Sequence, residues 1–173
     1  MAFSTPPNFV AGAVLTEANL DVLSDDISFL AGPPRCRVYN SANISIATSG
    51  VAQALTFNSE RFDTDTMHST AVNTSRITFT TGGTYLIGGC VAFATNATGS
   101  REIYVRLNGA TVVGDTQVPA NSAVATNLSV TTLYSVSAGD YAELYATQYS
   151  GGALDVVAVG NFTPEFWAIW QGL

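Results

Sequence analysis

The stretch Tyr85-Leu86-Ile87-Gly88-Gly89-Cys90-Val91-Ala92-Phe93-Ala94 decides how the rest of this chain is read. Successive side chains of a strand point to opposite faces, so Tyr85, Ile87, Gly89, Val91 and Phe93 share one face and Leu86, Gly88, Cys90, Ala92 and Ala94 the other. Neither set is polar. A strand apolar on both faces needs cover on both, and a two-layer sandwich covers only one, which leaves the second to another subunit. The closing stretch Phe166-Trp167-Ala168-Ile169-Trp170 has the same property and carries both tryptophans. Arg101 to Leu107 shows the contrast: Ile103, Val105 and Leu107 alternate with Glu102, Tyr104 and Arg106, as in a strand with one wet side.

Outward from these strands the pattern repeats. Further strands are expected at 35–39, 44–47, 54–57, 76–80, 128–136, 141–148 and 154–159. Turn signals separate them: Thr81-Gly82-Gly83, Asn96-Ala97-Thr98-Gly99, Asn108-Gly109, Ala138-Gly139-Asp140 and Ser150-Gly151-Gly152. Short strands with regular punctuation and no intervening helix predict an all-β sandwich or barrel over residues 35–173.

Before Arg35 the texture changes. Residues 1–15 mix Pro6-Pro7 with isolated Phe3, Phe9, Val10, Val14 and Leu15, which reads as an extended arm that docks onto something else. Residues 16–34 hold the one expected helix and its linker. Thr16 suits the N-cap, Glu17 and Asp21 suit the positive end of the dipole, and Gly32-Pro33-Pro34 stops it. Leu20, Leu23, Ile27 and Leu30 follow the 3, 4, 3 spacing of a coiled-coil seam, while Glu17, Asp21, Ser24, Asp25 and Ser28 fall off it. Two heptads are marginal alone, so the stripe either packs on the neighbouring domain or meets its own copies.

Composition narrows the function. The 173-residue chain is 47% hydrophobic and only 11% charged, with a net charge of −7. A surface of neutral Ser, Thr, Asn and Gly suits repeated contact with like or unlike partners, because desolvating neutral groups costs less than desolvating ions. The six basic residues are scattered arginines, and only Arg35 and Arg37 lie close together, so no phosphate-tracking face is expected and nucleic acid is excluded as a partner. No run of about 20 apolar residues predicts membrane insertion, and the first 15 residues do not read as a secretory signal, so synthesis in a cytoplasm is expected. The Asn-x-Ser/Thr triplets at Asn43, Asn73, Asn96, Asn127 and Asn161 then follow from composition alone. Cys36 and Cys90 read as two buried free thiols.

No catalytic residue, cofactor or metal site is assigned. The single histidine, His68, sits among hydroxyls and carboxylates in 62–69, a proximity expected by chance in so Ser/Thr-rich a chain. Glu60, Asp63 and Asp65 place three carboxylates in an expected loop. That suits a calcium ion in principle, but the spacing is not that of an EF-hand and a solvated turn is the favoured reading.

Four segments together resemble a known family. Gly83-Thr84-Tyr85-Leu86-Ile87 enters a long apolar strand, Leu107-Asn108-Gly109 closes the next, Val136-Ser137-Ala138-Gly139-Asp140-Tyr141 enters another, and an aromatic strand from Phe166 ends the chain. This order resembles the tumour necrosis factor-like and complement globular-head jelly roll, over about Tyr39 to the C-terminus. The resemblance implies an antiparallel two-sheet jelly-roll sandwich, a homotrimer with one sheet of each copy lining the threefold axis, and a C-terminal strand lying between those of Cys36 and Cys90. Tyr85, Ile87, Phe166, Trp167 and Trp170 become the expected trimer-interface residues.

The front half resembles the leader of jelly-roll proteins in bacteriophage virions. The similarity runs through residues 6–9, Gly12-Ala13-Val14-Leu15-Thr16, the helix, Val38-Tyr39-Asn40-Ser41 and residues 57–65. It implies a structural protein of the virion surface, made in the host bacterial cytoplasm. The favoured form is a capsid decoration protein whose arm residues Phe3, Phe9 and Val10 attach to the major capsid protein or another virion protein. The alternative is a trimeric tail-fibre or tail-tip adhesin that meets a host-surface glycan or receptor through loops at 96–100, 115–125 and 148–153.

Overall fold

A computed structural model describes Ser4 and residues 8–173; Phe3 lies outside the described residues. Among the described residues one helix, α1 (Glu17–Ala31), precedes twelve strands. Its start is fixed by Thr16, whose hydroxyl accepts from Asn19 N while Asn19 Oδ1 accepts from Thr16 N, a reciprocal cap that satisfies otherwise orphaned donors. Gly32 ends it by donating to Ser28 O at 3.1 Å.

The strands are β1 (Arg35–Tyr39), β2 (Ile44–Ile46), β3 (Gln53–Ala54), β4 (Ser59–Asp63), β5 (Arg76–Thr78), β6 (Gly83–Phe93), β7 (Ser100–Leu107), β8 (Thr111–Pro119), β9 (Thr126–Val136), β10 (Tyr141–Gln148), β11 (Leu154–Val156) and β12 (Glu165–Gly172). They form two antiparallel sheets, a jelly-roll sandwich as expected. The first runs β9-β6-β12-β1-β4, with β11 and β2 continuing beside β6 past the end of β12. The second runs β3-β10-β7-β8, with β5 beside β10. As the resemblance implied, β12 lies between β1 and β6, and Cys36 and Cys90 are free.

Two strands were not foreseen. Ser59–Asp63, expected as an acidic loop, is an edge strand against β1, and Thr111–Pro119 is an edge strand against β7. Both carry polar side chains and a register irregularity, which blunt an edge against further pairing but erase the alternation that marks a strand. The loop expected over 115–125 is therefore confined to 120–125.

The core is filled from alternate positions of both sheets. Tyr85, Ile87, Val91 and Phe93 of β6 and Phe166, Ala168 and Trp170 of β12 meet Ile103 and Val105 of β7 and Ala142, Leu144 and Ala146 of β10, all buried. Gly89 faces the same way, and a Cβ there would lie 2.5 Å from Leu144 Cδ2; the glycine is what lets the second sheet approach. The turn motifs that carried the resemblance dock into one another. Asn108, in the left-handed conformation at φ 51°, donates from Nδ2 to Asp140 Oδ1 at 2.8 Å and accepts from Tyr141 N at 2.9 Å. The Asn108 bond, with a second from Ser137 N, holds the Asp140 carboxyl below its usual range.

Candidate self-association surface

The two faces of β6 and β12 have different fates. Of the five residues expected at a subunit interface, Tyr85, Ile87, Phe166 and Trp170 point into the protomer's own core, with exposures of 0, 0, 0 and 8%. This corrects the expectation: in β6 they belong to the bulkier set, and in both strands the opposing sheet covers them. Trp167 alone points away. Its neighbours on that outer face follow from the register: Leu86 and Gly88 of β6, Ile169 of β12, Leu133 and Thr131 of β9, and Arg35 and Arg37 of β1.

The outer face has an apolar end and a charged end. At the apolar end Leu133 is 61% exposed beside Leu86 and Ile169. The Trp167 indole lies over β6 at Gly88, where a Cβ would stand 2.8 Å from its Cζ2. Phe62 of β4, 38% exposed, completes with Arg37, Cys90, Trp167 and Ile169 a groove of about 190 Å³. The Cys90 thiol opens onto this groove; burial, then the Glu165 carboxylate, pushes its pKa up to about 11. Cys36, one sheet position across β12, faces the core, and burial raises its thiol further still.

At the charged end Glu165 is fully buried between two guanidinium groups. Arg37 bonds Oε2, and Arg61 donates to Oε1 from Nε at 3.1 Å and Nη2 at 2.9 Å. Both arginines also lie on rings, Arg61 4.0 Å from the centroid of Tyr39 and Arg37 5.8 Å from that of Trp167. This clamp had no sequence signal beyond a carboxylate opening an otherwise apolar strand.

The helix repeats the pattern of one face used and one left open. Phe29 is buried edge-on against Trp170, ring centroids 4.9 Å apart, and Asp26 Oδ1 accepts from Ser4 N and Oγ. The seam residues point elsewhere: Leu20, Ile27 and Leu30 are 52, 66 and 57% exposed and Leu23 is half-buried. Of the two readings left open by the spacing, packing on the neighbouring domain does not occur within the protomer. Phe9 and Val10 of the arm are also exposed, and with Val14, Leu15, Leu20 and Leu23 they line an apolar groove of about 380 Å³.

The residues weighed for chemistry are tied up separately. His68 is buried, with Nδ1 2.9 Å from Glu60 Oε1, Nε2 3.3 Å from Thr74 O and its backbone N–H donating to Asp63 Oδ2. It pins the 64–75 loop to β4. Asp65 accepts from the hydroxyls of Thr80 and Thr81. Glu60 and Asp63 thus both hold His68 while Asp65 holds Thr80 and Thr81, and no group of metal-ligating side chains forms among the described residues.

No family model and no curated protein sequence matches this chain. Solved structures do match in fold. Murine APRIL at pH 5.0 superposes with a TM-score of 0.61 at 8% identity, over 80% of this chain and 98% of that one. The globular domain of zebrafish complement 1qA gives 0.56 at 13% identity, over 79% and 96%. Eiger TNF from S. frugiperda gives 0.54 at 8% identity, over 80% and 92%. The chain has the tumour necrosis factor and complement globular-domain jelly-roll fold.

Proposed function

We propose that this chain is a non-enzymatic structural protein of a bacteriophage virion surface, a homotrimeric jelly roll that decorates the capsid and is held there by its N-terminal arm. The observation that carries the reading is the outer face of β9-β6-β12-β1, where exposed Leu133 and half-buried Leu86, Trp167 and Ile169 form an apolar surface next to a self-contained ion-pair clamp. An apolar patch rimmed by satisfied polar groups marks an association surface. Threefold closure and the virion setting come from the resemblances of the head and the leader. Exposure of Phe9 and Val10 supports the attachment role given to the arm.

The test has two arms. Sedimentation of the full chain at micromolar concentration is expected to give a trimer, and a stable monomer overturns the reading. Deleting residues 1–30 is expected to abolish pull-down by purified empty capsids; undiminished binding removes the arm from the attachment.

A further inference from the structure

We propose that α1 forms a parallel three-helix coiled coil with its own copies on the threefold axis, a stalk that the heads hold together. The inference rests on the homotrimer reading and goes beyond it by assigning an occupant to a second surface. The open side of α1 carries Leu20 and Ile27 at heptad positions a and Leu23 and Leu30 at positions d, with the acidic Glu17, Asp21 and Asp25 off the seam. A seam of uncharged residues at this spacing is self-complementary: one copy's knobs fit the holes of another. The helix holds no basic residue, so its acidic flanks offer no cross-strand ion pairs to choose a different partner or an antiparallel orientation.

One other side of the helix is already occupied. Phe29 is seated on Trp170 and Asp26 on Ser4, which ties the helix to the head and to its own arm; Ile27 and Leu30 of the seam are left exposed, while Leu20 and Leu23 border the open groove shared with the arm. The seam is also continuous with the uncovered sheet face. Three residues, Gly32 to Pro34, separate α1 from β1; Trp170 N donates to Pro34 O, and Arg35 pairs with Ile169, next to Leu86 and Leu133. The helix therefore leaves the head at the apolar end of the surface that the trimer would bury.

Length makes the dependence one-way. A 15-residue helix is too short to associate by itself, and mixed Leu and Ile at positions a with Leu at d do not fix the number of strands. Tethering three helices to an associated head raises their local concentration to about millimolar, at which a two-heptad seam closes. The head sets the count and the register.

Site-directed cross-linking tests this. Ile27→Cys and, as an off-seam control, Asp25→Cys are each placed in the full chain carrying Cys90→Ser, where the remaining Cys36 is buried. After oxidation, Ile27→Cys is expected to put up to about two-thirds of the chains into a covalent dimer, because three thiols around one axis make one disulfide, while Asp25→Cys gives little. Sedimentation of the same samples separates the two failures. A trimer in which Ile27→Cys links no better than Asp25→Cys overturns the coiled coil alone and assigns the seam to a different protein. A monomer overturns the homotrimer and the coiled coil together.

Discussion

On the outside of the β3-β10-β7-β8 sheet, Tyr104 and Tyr145 stack with ring centroids 5.3 Å apart, and Arg106 lies over both at 5.2 and 4.4 Å. Beside them Glu143 accepts from Ser75 Oγ at 2.7 Å and Arg76 Nε at 3.2 Å. On the outside of the β9-β6-β12-β1 sheet, Leu133 stands 61% exposed at one end beside the partly exposed Leu86 and Ile169, and the Glu165 end is closed by its own arginines. Both exteriors contain aromatic residues and arginine, so composition does not separate them. What separates them is completion. The first surface stacks its tyrosine rings under Arg106 and pairs Glu143 within the protomer, whereas the second leaves apolar area, Leu133 above all, that another molecule would remove from water.

Placing a charge at the open end is the sharpest way to break that distinction. Leu133→Asp leaves the protomer folded, since the side chain is 61% exposed there, but buries three unpaired carboxylates in the trimer. Self-association is expected to weaken by more than about 100-fold by sedimentation, since each unpaired buried charge costs several kcal/mol. A Leu133→Asp chain that remains trimeric at micromolar concentration would remove this face from the interface. The matching change on the finished exterior, Arg106→Ala, is expected to leave the oligomer intact.

The clamp comes next in size. Removing Arg37 and Arg61 together leaves Glu165 buried without a counter-charge, and the double alanine variant is expected to lose about 3–5 kcal/mol in denaturant unfolding. Adding Glu165→Gln to it should recover part of that loss, because the neutral amide needs no counter-charge. If the double variant is as stable as the parent, the pair closes nothing. Arg106→Ala is smaller, about 1–2 kcal/mol, since it removes cation–π contact at a half-exposed site and no buried ion is stranded.

The same comparison shows what sequence reading reached. Alternation in Arg101 to Leu107 placed Ile103, Val105 and Leu107 inward correctly, because one of its two faces is polar. In β6 and β12 both faces are apolar, so alternation sorts residues into two sets without saying which set is inside. In β6 the missed cue was size: Tyr85, Ile87, Val91 and Phe93 fill a core, while Gly88 on the other face leaves room for Trp167. Edge strands β4 and β8 escaped because an exposed edge has no hydrophobic period. The Glu165 clamp escaped because its partners come from 104 and 128 residues away in the chain.

The finest distinction lies between the two thiols, one on each face of the same sheet. Burial first, and Glu165 next, raise Cys90 to about 11, whereas an unfolded chain's thiol ionises near 8.5. Between those values the unfolded state has lost a proton that the folded state keeps, so stability is fully present below about pH 8.5 and falls as pH rises toward 11. Cys36, raised further by burial and by Asp63 and Glu60, acts in the same direction over a wider range. Cys90→Ser should therefore flatten the alkaline limb of a stability–pH profile without changing it at pH 7. Alkylation separates the faces directly. In a dissociated protomer, such as the Leu133→Asp chain, Cys90 should react about tenfold faster for each unit by which the pH is raised toward 11, in proportion to its thiolate, while Cys36 stays inert until the domain unfolds. In the proposed trimer of the parent chain Cys90 should be protected as well, because the surface it opens onto would then be covered. Equal alkylation of Cys90 in both chains would mean that this face meets water in each.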